Sequence, residues 1–137
     1  MFKLVDSLTA WWPVKVLQPD PDKPGTMKEF EFEIEFEIID RDETKRMDEQ
    51  RAELIKQAEA DPSEATLRRV QDALEEVNLA SFRRVIRNWR GIVDEQDRPI
   101  SFTEESFVVA MKHNRIRAGI NKAYQEAIGQ EGVRLGN

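Results

Sequence analysis

The sequence predicts an α+β fold: an N-terminal antiparallel β-hairpin or small sheet packed against about four or five C-terminal helices. Three observations carry this. A long stretch alternates without a fault between apolar and acidic residues, a loop rich in proline and glycine precedes it, and everything after Asp40 repeats at helical spacing.

The alternating stretch is Lys28–Ile39, with Phe30, Phe32, Ile34, Phe36 and Ile38 set against Glu29, Glu31, Glu33, Glu35 and Glu37. Successive side chains of a strand point to opposite faces, so all five apolar groups share one side. In a helix they would be scattered around the cylinder. A strand of about 11 residues is longer than the usual 5–6 and can hold a small domain's other elements against its apolar face. Before it, Trp12, Val14 and Val16 also alternate, and Pro19, Asp20, Pro21, Asp22, Pro24 and Gly25 mark a loop. The expected hairpin therefore pairs strand 12–18 with strand 28–39 across loop 19–27. Pro13 cannot donate to a ladder, which makes the first strand an edge. Residues 1–11 carry no clear pattern, and Trp11-Trp12 is a large apolar payload.

Asp40 and Glu43 are spaced as a capping box, and the helix they open has a thin stripe of Met47, Leu54, Ile55 and Ala58. A second helix is expected with Asp61 as N-cap, Pro62 at its first position and Glu64 closing the box. Its stripe is Leu67, Val70, Leu74 and Val77. Phe82, Val85, Ile86 and Trp89 continue at helical spacing, but on a face roughly 90° around. One core does not call for two faces, so a break near 78–81 is expected, with Ser81 as a new cap and Gly91 as the stop. Ile92-Val93 and Ile100–Phe102 flank a polar turn, 94–98, as in a small hairpin. Thr103, followed by Glu104 and Glu105, opens a helix with Phe107, Val108 and Met111 on its apolar side. Asn114 separates it from a last helix with Ile116, Ile120, Ala123, Ala127 and Ile128 inside and Gly129 as its end. Residues 1–129 read as one α+β domain and 130–137 as a flexible tail.

Composition narrows the function. The 137 residues match one domain with one core. No apolar run approaches the roughly 20 residues of a membrane helix, and the N-terminus lacks a signal-peptide pattern. The absence of cysteine excludes disulfides, zinc-thiolate sites and thiol catalysis. The expected setting is the cytosol. His113 is the only histidine, read as a helix-end residue, and the scattered glycines form no phosphate-cradling loop. No carboxylate sits in a pattern that demands catalysis, so no enzyme activity, cofactor or metal is expected. Net charge is −6, split into −8 over residues 1–64 and +2 over 65–137.

Two charged features are candidate interaction sites. Glu31, Glu33 and Glu35 form either a solvated face or a docking face for a basic partner. Arg83, Arg84, Arg87 and Arg90, with Trp89 among them, fall on one expected helical segment. Nucleic-acid binding would ask for a strongly basic domain, whereas this chain is net acidic. An acidic protein surface, such as another copy's glutamate row, suits the arginines better, and self-association is expected.

The order of these pieces resembles the tail assembly chaperones of long-tailed bacteriophages. The residues that carry the likeness are Trp12-Pro13-Val14 opening a hairpin whose second strand alternates as Phe30-Glu31-Phe32-Glu33-Ile34. With them go Trp89-Arg90-Gly91-Ile92-Val93-Asp94-Glu95 followed by Arg98-Pro99-Ile100-Ser101-Phe102-Thr103-Glu104-Glu105, and a closing helix pair with Ile116, Ile120, Ala123 and Tyr124. The resemblance covers most of residues 12–129. It implies a non-enzymatic protein of the host cytoplasm that binds the tape-measure protein and tail-tube subunits before tube polymerisation, then leaves and is missing from the mature virion. It also implies two product lengths made by a programmed ribosomal frameshift. Leu135-Gly136-Asn137 can be encoded by a heptamer on which a ribosome slips back, G-GGA-AAC or G-GGA-AAT. Two alternatives stay open: a small nucleic-acid-binding regulator using the Arg83–Arg90 segment, and a structural tail or connector subunit.

Overall fold

A computed structural model describes residues 1–129; the tail expected at 130–137, with Leu135-Gly136-Asn137, lies outside the described residues. The fold is α+β. In chain order the elements are β1 (Leu8–Pro19), β2 (Met27–Ile38), α1 (Arg41–Ala60), α2 (Glu64–Val85), β3 (Ile86–Arg90), α3 (Glu104–Ala110) and α4 (Asn114–Ala127). They group into two compact units. One holds Leu8–Ile38 with the described residues from Ile86 onward; the other holds Met1–Ser7 with Ile39–Val85.

The first unit is built on the sheet, in the order β1-β2-β3 and antiparallel throughout. The hairpin closes at Pro19↔Met27, and Gly25 takes a positive φ of 82° in the connecting loop. The strand begins at Leu8, earlier than the alternation suggests, and is the edge, as Pro13 requires. The glutamate strand β2 is central. Ile34 and Phe36 are fully buried and Phe32 nearly so, whereas Phe30 stays 36% exposed. Its position explains this, because β3 flanks only Glu33 to Phe36 of β2.

The third strand corrects the expected helix. Ile86–Arg90 is extended, α2 runs unbroken from Glu64 to Val85, and Gly91 (φ 88°) ends a strand. The pattern misleads because of a β-bulge. Phe36 pairs with Ile86 and Glu35 with Asn88, so Arg87 is an extra residue on β3. The insertion resets the alternation, and Ile86 and Trp89, three apart, both point inward, at 4% and 5% exposure. A spacing of three on a bulged strand looks like one turn of helix.

After β3 the expected small hairpin is present: Ile100 N donates to Ile92 O and Asp94 N to Arg98 O, both at 2.9 Å. Thr103 caps α3, and its box partner is Ser106, whose N–H donates to Thr103 Oγ1 at 3.0 Å. Asn114 is the first residue of α4, which ends before Gly129 at positive φ. Ile120 and Ala123 of α4 are buried, and Tyr124 meets Phe36 edge-on, with centroids 5.4 Å apart. Arg115 donates to the Gln18 amide oxygen of β1 at 2.8 Å.

The second unit is an antiparallel helical hairpin. Asp40 caps α1, accepting from Glu43 N at 2.8 Å. Ser63, rather than Asp61, stands at the start of α2, since Leu67 N donates to Ser63 O and Thr66 N to Ser63 Oγ. Asp61 instead closes α1 and accepts from Thr66 Oγ1 at 2.6 Å. That bond, with the Ser63 N–H, holds its carboxyl below the usual Asp range. Between the helices Arg84 grips Glu43, Arg51 donates to Asn78 (2.8 Å) and Ser81 (2.7 Å), and Arg69 donates to Gln57 (3.0 Å). Ser81 is therefore no cap; its hydroxyl back-bonds to Val77 O within α2. Val70 is buried, but Leu67, expected beside it in the stripe, is 46% exposed, and α1 has no buried residue. Among the described residues no helix is long and apolar enough to cross a membrane.

Candidate interaction surface

The outer face of the sheet follows from register. Residues paired across an antiparallel ladder share a face, so the β2 glutamates bring with them Trp11 (opposite Glu35), Pro13 (opposite Glu33) and Lys15 (opposite Glu31) on β1, and Arg90 and Asn88 on β3. The acidic row thus meets a basic surface inside its own chain. Arg90 Nε lies 3.0 Å from Glu33 Oε1, and its guanidinium reaches across β2 to stand 4.0 Å from the centroid of the Trp11 ring. Arg87, the bulge residue, pairs with Glu37 at 3.2 Å. An exposed pair such as Arg90–Glu33 contributes about 0–1 kcal/mol, and a cation–π contact at an exposed site about 0.5–1 kcal/mol. They hold the face in one arrangement more than they stabilise the fold.

The candidates from the sequence therefore separate. Glu33 and Arg90 come together. Glu31 is exposed and Glu35 half-buried on the same face. Arg83 and Arg84 belong to α2 and Arg87 and Arg90 to β3, so the single arginine helix does not form. Arg84 is engaged with Glu43, Nη2 to Oε1 at 2.9 Å. Trp89 is a core side chain. Its indole N–H donates to Ile100 O at 2.8 Å, and its ring meets Phe102 edge-on at 5.0 Å, which in turn meets Phe107 at 6.1 Å. The contact expected between copies, glutamate strand to arginines, is made within one chain for Arg87 and Arg90.

Sequence reasoning missed Trp11 and Glu37. The signal for Trp11 was available: a hairpin register that pairs Gln18 with Lys28 places residue 11 opposite residue 35. Glu37 needed the bulge, which no local pattern announces.

Beside this face, the turn after β3 is stiffened by Asp94. Its carboxylate accepts from the N–H groups of Gln96 (2.8 Å) and Arg98 (3.0 Å) and from Arg98 Nε (3.0 Å). Led by the Arg98 N–H, these bonds hold the Asp94 carboxyl below the usual Asp range, against an opposing desolvation cost. Asp97 adopts φ 59°, the left-handed conformation that aspartate tolerates. His113 is exposed at the start of α4, its Nδ1 3.4 Å from Arg115 Nη1. The surface carries paired charges, one guanidinium stacked on an indole ring and an exposed carboxylate at Glu31. Comparison with protein-family models, with curated proteins and with solved structures returned no match for the chain.

Proposed function

We propose that this protein is a non-enzymatic phage tail assembly chaperone that binds the tape-measure protein, and tail-tube subunits, by protein–protein contact. The observation that supports this reading is the role of the residues bearing the resemblance. Trp89, Gly91, Asp94, Ile100, Phe102 and Thr103 each serve a strand end, a turn, a cap or a core contact. A motif spent on architecture, beside a charged open sheet face, suits a binding module. Acting in the host cytoplasm and leaving before the virion matures belong to the same reading, as does self-association along the client.

The test is co-expression of the tagged chain with the tape-measure protein of the same phage, followed by capture and by analysis of purified virions. Recovery of the tape-measure protein, with the chain missing from virions, is the expected result. Finding the chain in virions would favour a structural tail subunit and overturn the chaperone reading. The nucleic-acid alternative loses its main support, because its basic helix is divided between α2 and β3, with Arg84, Arg87 and Arg90 each held by a carboxylate. Steeply salt-dependent DNA affinity without tape-measure binding would restore it.

A further inference from the structure

We infer that the groove between α1 and α2 is a docking site for a cationic amphipathic α-helix of a partner protein. The inference rests on reading the chain as a binding module for a polypeptide client, and it names the client's chemistry and the place of contact.

The groove is open, about 940 Å³ in volume, and lined only by residues of the two helices. Its apolar lining is Met47, Leu54, Ala73, Val77 and Ala80. Met47, Leu54, Ala73 and Val77 are only half-buried, and α1 reaches 20 residues without one buried side chain. Two paired helices leave a furrow into which the ridge of a third fits, and here that furrow carries apolar surface with nothing from the same hairpin covering it. The lining positions on α1 run from 43 to 54, roughly 16 Å or three helical turns at 1.5 Å per residue.

The charge around the groove selects the occupant. Glu49, Glu53 and Glu76 are exposed along it, with Arg46 the one basic side chain in its lining. The fourth carboxylate, Glu43, is already held by Arg84. A helix with an apolar stripe flanked by lysine or arginine would bury the stripe on Met47, Leu54 and Val77 and set its cations against exposed Glu53 and Glu76 and against Glu49, which shares its carboxylate with Lys45 at 4.0 Å. A second copy docking the same hairpin would oppose carboxylate to carboxylate, which charge complementarity disfavours.

The test uses the full chain and a fluorescein-labelled synthetic peptide of about 16 residues. Leucines stand at helical spacing with lysines on both flanks, and a control peptide carries glutamate in place of every lysine. Anisotropy titration is expected to show saturable binding of the lysine peptide, with the glutamate peptide at least about tenfold weaker. The triple variant E49K/E53K/E76K should weaken the lysine peptide at least about tenfold. These are exposed positions, so the fold should survive, which circular dichroism checks. Should the triple variant fail to fold, Ala80→Trp, which fills the groove from an exposed position, should give the same loss. No binding of the lysine peptide, equal binding of both peptides, or undiminished binding by the folded variants overturns the inference. So does a self-associated state that the triple variant dissolves while neither peptide binds. Repeating the tape-measure capture with the variants separates the two readings. Capture that persists in the variants leaves the chaperone and removes the groove. Peptide binding without tape-measure capture leaves the groove and removes the chaperone.

Discussion

Gly119 is where α4 approaches β1 most closely. A Cβ built there would stand 2.5 Å from the carbonyl oxygen of Lys15 and 3.3 Å from Val14 Cγ1. The first neighbour is backbone and cannot swing aside. Alanine is the better helix former by about 1 kcal/mol, yet overpacking against a fixed carbonyl costs about 1–3 kcal/mol. Gly119→Ala is expected to lower the melting temperature, and an unchanged or raised one would show that α4 can shift off β1. Asp94 supplies a pH-dependent counterpart. Its folded-state carboxyl titrates below the ordinary Asp value because N–H groups of Gln96 and Arg98 stabilise the anion. That contribution is fully present above the ordinary value of about 3.9 and is lost as pH falls through the lowered one. Asp94→Asn should therefore flatten the acid limb of the stability–pH curve and leave its shape above neutral pH unchanged. A variant curve parallel to wild type down to acid would remove the assignment.

At the scale of elements the decisive one is β3. Five residues complete the sheet, cover Ile34 and Phe36, and carry Arg87 and Arg90 to the outer face through one bulge. Trp89 fastens the strand to the following turn by packing on Phe102 and by its bond to Ile100 O. Trp89→Ala should cost about 3–5 kcal/mol, as truncation of a buried aromatic does. Trp89→Phe keeps most of the packing, leaves Ile100 O without its indole partner, and should cost about 1–2 kcal/mol. Denaturant melts of the two variants check this, and equal losses would mean that the hydrogen bond, not the ring, holds β3. The expected amphipathic stripe of α2 survives as Val70, Leu74 and Val77. Leu67 falls outside it because α2 starts at Glu64, so that Leu67 is in its exposed first turn.

Over the whole molecule, charge is arranged in two ways. On the sheet, Glu33 and Glu37 of the acidic row are answered in cis. On the helical hairpin the carboxylates along the groove face outward. If these acidic surfaces take a basic client, capture of the tape-measure protein should fall as salt is raised from about 0.05 to about 0.5 M, where the screening length shrinks from above 10 Å to a few Å. Capture indifferent to salt would point to apolar contact alone. Glu31→Gln, at an exposed site, should change stability by no more than about 0.5 kcal/mol, so any effect it has on capture belongs to binding.

Features that depend on neighbours a few residues away could be read from the chain directly. Alternation in Lys28–Ile39 set both the strand and the side it buries, since period two leaves the backbone no other way to gather five apolar groups. Pro13 made β1 an edge, Asp40 and Thr103 marked helix starts through their side-chain oxygens, and Gly129 marked a helix end because glycine takes a positive φ without cost; Gly91, expected to stop a helix, ends a strand instead. Tertiary structure alone decided Ile86–Arg90. Those residues can coil as readily as extend, and the choice turns on hydrogen bonds offered by β2, some fifty residues earlier in the chain, and on a bulge that trades one extra residue for two buried side chains. The candidate surface came with that choice. Glutamates read from the alternation became a paired, cation–π-braced face only when β3 brought Arg87 and Arg90 beside them, because side chains from strands distant in sequence meet only once the register is formed.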